Sequence, residues 1–381
     1  MRRLLLVTLA ALALPAGAQA ATVTLTVQRS PALPGTFVTF SGQLLPAQAG
    51  APVGLYTRVG STWSRLLLTA TAADGTFRFT QTASQPGTFI AIAQPDAATQ
   101  VSSPEATLRI RSRLTATVSG RRVVGERVRL TGRLLPAEAG TLSLRIDRKA
   151  RRVRVGAGGR FSLLLPTGLP GRLAWRLTLA PAAGYEDASR RNTLLLRAPA
   201  LARGSAGPSV RALERRLSDL RYALRGVDSY YGSDTYEAVM AFQKVHGLTR
   251  TGSVTPWLWS RIARAGVPRA FVPHGTHIEV SKTRQIMYEV VNGVVRRAVH
   301  VSTGLTGNTP VGRWRVYRVS PGYNAIGMYY SLYFLRGFAI HGYRSVPPYP
   351  ASHGCVRTPT WFAPGFYARW ARLGTRIYVF P

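Results

Sequence analysis

Between His341 and Arg357 the chain reads HGYRSVPPYPASHGCVR, which holds its only cysteine, Cys355, and two of its six histidines, His341 and His353. A thiol beside an imidazole suits nucleophilic catalysis. The thiolate attacks an acyl carbon, the imidazole takes the thiol proton, and a third group orients the ring. Gly342 and Gly354 let backbone come close to the reacting atoms. The N–H groups of Gly354 and Cys355 are candidate oxyanion donors, and the Gly342 carbonyl could hold the second ring N–H of His341. Ser352, His353 and Gly354 would shape the turn before the thiol. Arg357 is placed to pair with a substrate carboxylate or with an acid inside the fold. Spacing alone leaves open whether His341 or His353 is the base. Two other readings use the same residues. One is a structural cysteine with core histidines. The other is a zinc site on His341, His353 and Cys355, for which no nearby acid offers a fourth ligand and His274-x-x-His277 lies too close to a linker.

The elements that must position these residues read as strands with a single helix. Ile278–Val280 and Gln285–Val290 lead into the hairpin signal Asn292-Gly293, and Val294–Val301 returns. Trp314–Val319 and Phe338–Ile340 supply further strands. Thr358 with Pro359 predicts a helix start carrying Phe366, Tyr367 and Trp370 inward, and Gly374 precedes a last strand, Arg376–Phe380. Cys355 would then lie just ahead of a helix, whose dipole favours thiolate if its axis points at the sulfur.

Upstream the period turns helical. Val210, Leu213, Leu217 and Leu220 line one face, and a second helix is expected from Asp234, with Glu237 as its capping-box partner, to Gly247. Thr255 as N-cap with Pro256 opens a third, running through Trp259 and Ile262 to Gly266. The small-residue stretch PALARGSAG before them reads as a linker.

The first half of the chain contains a repeat. SGQLLPAQAG at 41–50 recurs as TGRLLPAEAG at 131–140, and DGTF at 74–77 as GGRF at 158–161. Strands alternating with period two between Gly/Pro turns, as in Thr22–Val27 and Arg127–Leu130, predict two tandem β-sandwiches of immunoglobulin-like size. Neither contains a catalytic grouping, so a spacer is the simpler reading and a binding module the alternative.

At the start, Met1-Arg2-Arg3, the apolar run Leu4–Leu14 and Ala18-Gln19-Ala20 read as an export signal. No later segment approaches a membrane-spanning length, so no transmembrane segment is expected after cleavage. An exported chain with one cysteine cannot form an internal disulfide, which favours a used thiol. Lys+Arg total 50 against Asp+Glu 15, a formal charge of +35. The arginines are spread over every segment, and export keeps the chain from cytosolic nucleic acid, so nucleic acid is not expected as a partner. Anionic wall polymers, a membrane surface or an envelope protein remain.

The stretch at 341–357 resembles the signature of the L,D-transpeptidases, the YkuD-like family, written loosely HG…SHGCVR. Val301-Ser302-Thr303-Gly304, Thr309-Pro310-Val311-Gly312 and Ile340-His341-Gly342 match its VSTG, TPxG and xIHG segments in order. Trp314 stands where a Phe is common, and Pro347, Pro348 and Pro350 replace the glycine often found ahead of SHGC. The helical stretch is similar to the peptidoglycan-binding domain 1 module at Tyr231-Gly232, Thr235, Ala238-Val239, Phe242-Gln243 and Gly247-Leu248. Glu214 replaces its usual Gln, and Thr251 its usual Asp.

The resemblance favours His341 as base and implies no cofactor. The expected chain is multidomain: signal 1–20, sandwiches 21–111 and 112–198, linker 199–207, three-helix domain 208–266, and a mainly-β catalytic domain 274–381 with one helix after the nucleophile. The resemblance implies an enzyme of the periplasm or cell wall that acts on peptidoglycan stem peptides. Cys355 would form a thioester with a stem tetrapeptide, releasing D-alanine before transfer to another stem's amine. An L,D-carboxypeptidase with water as acceptor, or a non-catalytic wall-binding protein, are the alternatives.

Overall fold

A computed structural model of the protein describes residues 20–381. The export signal read in the sequence falls outside them, save its last residue. The described chain divides into two compact units. One holds the residues up to Thr117 with Thr131–Ser162 and Trp175–Arg191; the other holds Val118–Leu130, Leu163–Ala174 and Asn192–Pro381.

In the first unit, alternating residues build two antiparallel sheets. Phe37–Leu45 is the central strand of one, paired with Thr22–Val23, Thr26–Gln28 and Thr76–Thr82. Pro52–Val59 and Gly87–Ala93 form the heart of the other. The Phe40 ring from one sheet meets the Phe89 ring from the other at 4.7 Å, and Val38, Leu44, Val53 and Leu55 are buried with them. Repeated sequence gives repeated packing. A Cβ on Gly42 would fall 2.0 Å from the Thr24 carbonyl oxygen and 2.4 Å from the Phe77 ring. One on Gly132 would fall 2.1 Å from the Thr115 carbonyl oxygen and 2.3 Å from the Phe161 ring, so both glycines are kept bare by a backbone carbonyl and an aromatic together. The second repeat's strands also form two sheets, of three and four strands.

In the second unit, three helices pack around Val210, Leu213, Leu217, Val239, Phe242, Trp259 and Ile262. They are α1 (Pro208–Asp219), α2 (Ser233–Val245) and α3 (Pro256–Arg264). Thr255 caps α3 as expected, its hydroxyl accepting from the Leu258 N–H at 3.2 Å. The capping box expected for α2 does not form. Gly232 is the N-cap, Asp234 lies inside the first turn and accepts from the Arg225 N–H, and Glu237 accepts from the Trp361 indole instead. The stretch expected to be a linker is docked, because Leu201 and Val254 exchange backbone hydrogen bonds of 2.9 and 2.8 Å.

From His277 the unit is built of strands. A five-stranded sheet contains β1 (His277–Ser281), β2 (Ile286–Val291), β3 (Val294–His300), β4 (Gly312–Arg315) and, last in the chain, Arg376–Phe380. Asn292 and Gly293, at φ 52° and 74°, make the expected two-residue hairpin between β2 and β3. A four-stranded sheet follows the order β5 (Arg318–Tyr323), β6 (Tyr329–Leu335), β7 (Phe338–Tyr343), β8 (Val356–Pro359). The strand expected at Trp314–Val319 is thus divided between the two sheets.

The three helices share one core with the larger sheet. Ile286, Tyr288, Val290, Val295 and Ala298 belong to the same buried cluster as the helical residues. Residues 221–223 extend that sheet at the β3 edge, with Ala298 N–H bonding to the Arg221 carbonyl and Ala223 N–H to the Ala298 carbonyl. None of the helices of the described residues is long and apolar enough to cross a membrane.

Candidate functional site

The segments that carry Cys355 and His341 are neighbours in the smaller sheet. Strands β7 and β8 run parallel, with Ile340 opposite Val356 and His341 opposite Arg357. Cys355, two residues before Arg357, therefore falls on the His341 side of the pair. Cys355 leads into strand, not helix. The helix α4 (Ala363–Trp370) begins well downstream, with Phe362 as N-cap. Thr358 belongs to β8 and its hydroxyl donates to the His341 carbonyl at 3.2 Å. The expected dipole contribution to the thiol is therefore absent, since such a dipole acts only within its first turn.

His341 is 3% exposed, and its Nδ1 lies 2.9 Å from the Gly342 carbonyl oxygen. A carbonyl only accepts, so Nδ1 carries the hydrogen and Nε2 the lone pair. Burial pushes the His341 pKa down to about 4, aided by the Arg357 charge and opposed by the Gly342 hydrogen bond. The imidazole is uncharged near neutral pH. Cys355 sits against Met328, Tyr333 and Ala339, with its sulfur 3.7 Å from the Gly337 carbonyl. Burial raises its pKa, while the Ala339 backbone and Arg357 pull it back. The resting pair is thus a neutral thiol and a neutral imidazole.

Hydrogen bonds from three segments hold the turn before the thiol. Ser352 Oγ donates to the Cys355 carbonyl at 2.6 Å and accepts the Gly354 N–H at 3.0 Å. Of the two expected oxyanion donors, the Gly354 N–H is therefore engaged within the turn, leaving that of Cys355. Thr309 Oγ1 donates to the Gly354 carbonyl at 2.7 Å and accepts the Gly304 N–H at 2.9 Å. The N–H groups of Ala351 and Ser352 both bond to the Thr303 carbonyl, and Ser302 exchanges two backbone bonds with Arg357. Gly354, at φ 126°, has no room for a side chain, since a Cβ would sit 2.4 Å from the Phe338 ring. His353 is exposed, and its carbonyl accepts from the Asn308 amide. The Arg357 guanidinium lies 4.2 Å over the Tyr343 ring, which meets His341 edge on at 5.8 Å. Among the described residues no three His, Cys, Asp or Glu side chains converge to hold a metal ion.

The L,D-transpeptidase catalytic domain family matches residues 275–379, and the putative peptidoglycan binding domain family matches 206–262. Among solved structures, an L,D-transpeptidase (residues 123–326) from Xylanimonas cellulosilytica DSM 15894 is 34% identical. The match covers 47% of this chain and 97% of that one, with a TM-score of 0.46. The chain belongs to the L,D-transpeptidase family. A fused Zn-dependent amidase/peptidase/peptidoglycan-binding domain-containing protein from Clostridium acetobutylicum ATCC 824 is 19% identical. That match covers 48% of this chain and 99% of the other, at a TM-score of 0.24. No curated protein matches closely enough to be counted a relative.

In this member of the family several supports of the turn carry no motif-level signal. Gln285 bonds through both ends of its amide to Thr303, accepting its N–H at 2.8 Å and donating to its hydroxyl at 2.6 Å. Met328 and Tyr333 wall the thiol from β6 and the loop before it. The motif segments Val301–Gly304 and Thr309–Gly312 were legible as a resemblance, but their physical task appears only in the hydrogen bonds around Gly354.

Proposed function

We propose that this chain is an exported peptidoglycan L,D-transpeptidase in which Cys355 is the nucleophile and His341 the base. The observation that carries the assignment is the His341 Nδ1 bond to the Gly342 carbonyl, which leaves the lone pair on Nε2 of an uncharged ring. Attack by the Cys355 sulfur on the stem peptide carbonyl transfers the thiol proton to His341 Nε2. The resulting oxyanion takes the Cys355 N–H. Collapse of this intermediate breaks the C–N bond, and the imidazolium returns its proton to the departing D-alanine amine, leaving a thioester. An amine of a second stem then attacks, His341 takes its proton, and the sulfur leaves and is reprotonated.

Arg357 is positioned to meet the carboxylate at the end of the donor stem, and Ser352, His353 and Gly354 form the turn that presents the thiol. The helices bind peptidoglycan, and the two repeats of the first half are immunoglobulin-like sandwiches that act as a spacer. The charge of +35 suits anionic wall polymers in the periplasm or wall. Incubation with purified muropeptides, read by mass spectrometry, tests the reading. Cross-linked dimers are expected from the wild type and not from Cys355→Ala. Trimmed monomers would assign water as the acceptor, and unchanged muropeptides would overturn the enzyme.

A further inference from the structure

We infer that Lys244, on α2 of the helical module, is a positioning residue that holds the cysteine turn through backbone it shares with the catalytic sheet. The inference rests on Cys355 being the nucleophile. Lys244 is 2% exposed, and three acceptors surround its Nζ: the Gln285 carbonyl at 2.9 Å, the Val301 carbonyl at 2.8 Å and the His300 Nδ1 at 2.6 Å. His300 Nε2 lies 2.7 Å from the Val346 carbonyl, so that nitrogen carries the ring hydrogen and Nδ1 accepts. Three acceptors match the three N–H groups of an ammonium and leave no place for an amine lone pair. Burial drives the Lys244 pKa well down, and the Arg250 charge adds to it. The arrangement of the acceptors decides for the charged form.

Lys244 holds Val301 directly and Val346 through the His300 ring, and both of these segments lead into the turn. Val301 precedes Ser302 and Thr303, whose backbone pairs with Arg357, Ala351 and Ser352. Val346 begins the stretch of prolines; within it Ser302 Oγ bonds to the Tyr349 carbonyl at 2.8 Å, and Arg250, also from the helical module, bonds to the Pro348 carbonyl at 2.7 Å. The path from Nζ to the Cys355 carbonyl is an unbroken run of hydrogen bonds and single residues, ending at Ser352 Oγ. Nothing in this network needs peptidoglycan on the helices. It makes the module part of the catalytic frame, beside any binding it performs. Coupling of this kind is established by non-additive substitutions rather than by proximity.

The test uses full-length protein and a carbapenem, whose ring carbonyl stands in for the scissile one. The acylation rate per folded molecule is followed by intact mass and split into a saturating rate and a half-saturating concentration. Lys244→Met keeps the chain length and removes the donors; His300→Phe keeps a ring and removes both of its hydrogen bonds. Each should lower the saturating rate about tenfold or more, and the double variant should lose no more than the worse single one. Thr255→Ala, which weakens α3 far from this network, should lower the melting temperature and leave the rate unchanged. If Lys244→Met does not fold, His300→Phe decides alone. An unchanged saturating rate per folded molecule, or losses that multiply in the double variant, overturns the inference. A wild type that takes no carbapenem would instead overturn Cys355 as nucleophile.

Discussion

At Cys355 burial works against ionisation, and at His341 it works the same way from the other side. The thiol is raised above its ordinary value while the imidazole is lowered to about 4. A thiolate–imidazolium pair is therefore not the resting state. In the proposed mechanism proton transfer then belongs to the encounter with the carbonyl, where a bare Nε2 is what the step requires. Alkylation of Cys355, the sole thiol of the chain, reports this directly. Its rate in the wild type should rise with a midpoint above that of a free thiol, about 8.5. Arg357→Gln should move the midpoint further up, because the Arg357 charge stabilises the thiolate. His341→Ala should abolish turnover without bringing the midpoint down to the free value. A wild-type midpoint near 6 would instead mean a preformed ion pair. His341 also carries a stability signature. A folded pKa below the ordinary 6.5 means the unfolded chain binds the proton first, so its contribution is intact above 6.5 and fades as the pH falls towards 4.

Among the elements, α2 is the piece that joins the two parts of the unit. Its outer turns present Glu237 to the Trp361 indole, at 2.5 Å, and its last turn presents Lys244 to the sheet. Burial raises the Glu237 carboxyl to about 7, and the Trp361 N–H opposes the shift. The sign is that of a raised acid. The folded protein holds the proton when the unfolded chain has released it, so the stability gained below pH 4.5 is lost as the pH rises towards 7. Melting temperatures between pH 4.5 and 7 should fall more steeply in the wild type than in Glu237→Gln, whose amide does not titrate. Parallel curves would show that the carboxyl carries no such shift.

The whole second unit behaves as one body because its hydrophobic surface is shared. Removing residues 207–266 would expose Ile286, Tyr288, Val290, Val295 and Ala298, all buried now, and would strip the β3 edge of its partner at 221–223. Each large apolar side chain so exposed forfeits about 1.5–3 kcal/mol, against a total stability of about 5–15 kcal/mol for a domain. A fragment starting at residue 274 is thus expected to be aggregated or without a cooperative melt, whereas one starting near 199 should melt cooperatively. A soluble 274–381 fragment with wild-type acylation would show that the helices are dispensable.

Local chemistry was readable without coordinates. The Asn292-Gly293 hairpin, the Thr255 cap and the α1 stripe all act through neighbours in sequence, and the structure places each as its own residues dictate. The repeat was legible too, because SGQLLPAQAG recurs as TGRLLPAEAG, and Gly42 and Gly132 in it meet equivalent neighbours in the structure. The errors fell where a local signal had a distant competitor. Thr358 and Pro359 carry the marks of a helix start, yet pairing with β7 outbid them, and Glu237 left its capping position for an indole far along the chain. Lys244 and Gln285 look like ordinary polar residues of a helix and a turn. Only the tertiary structure shows them aimed at backbone carbonyls and the Thr303 hydroxyl, since a buried donor is satisfied by whatever acceptor the fold brings to it, and sequence does not record that distance.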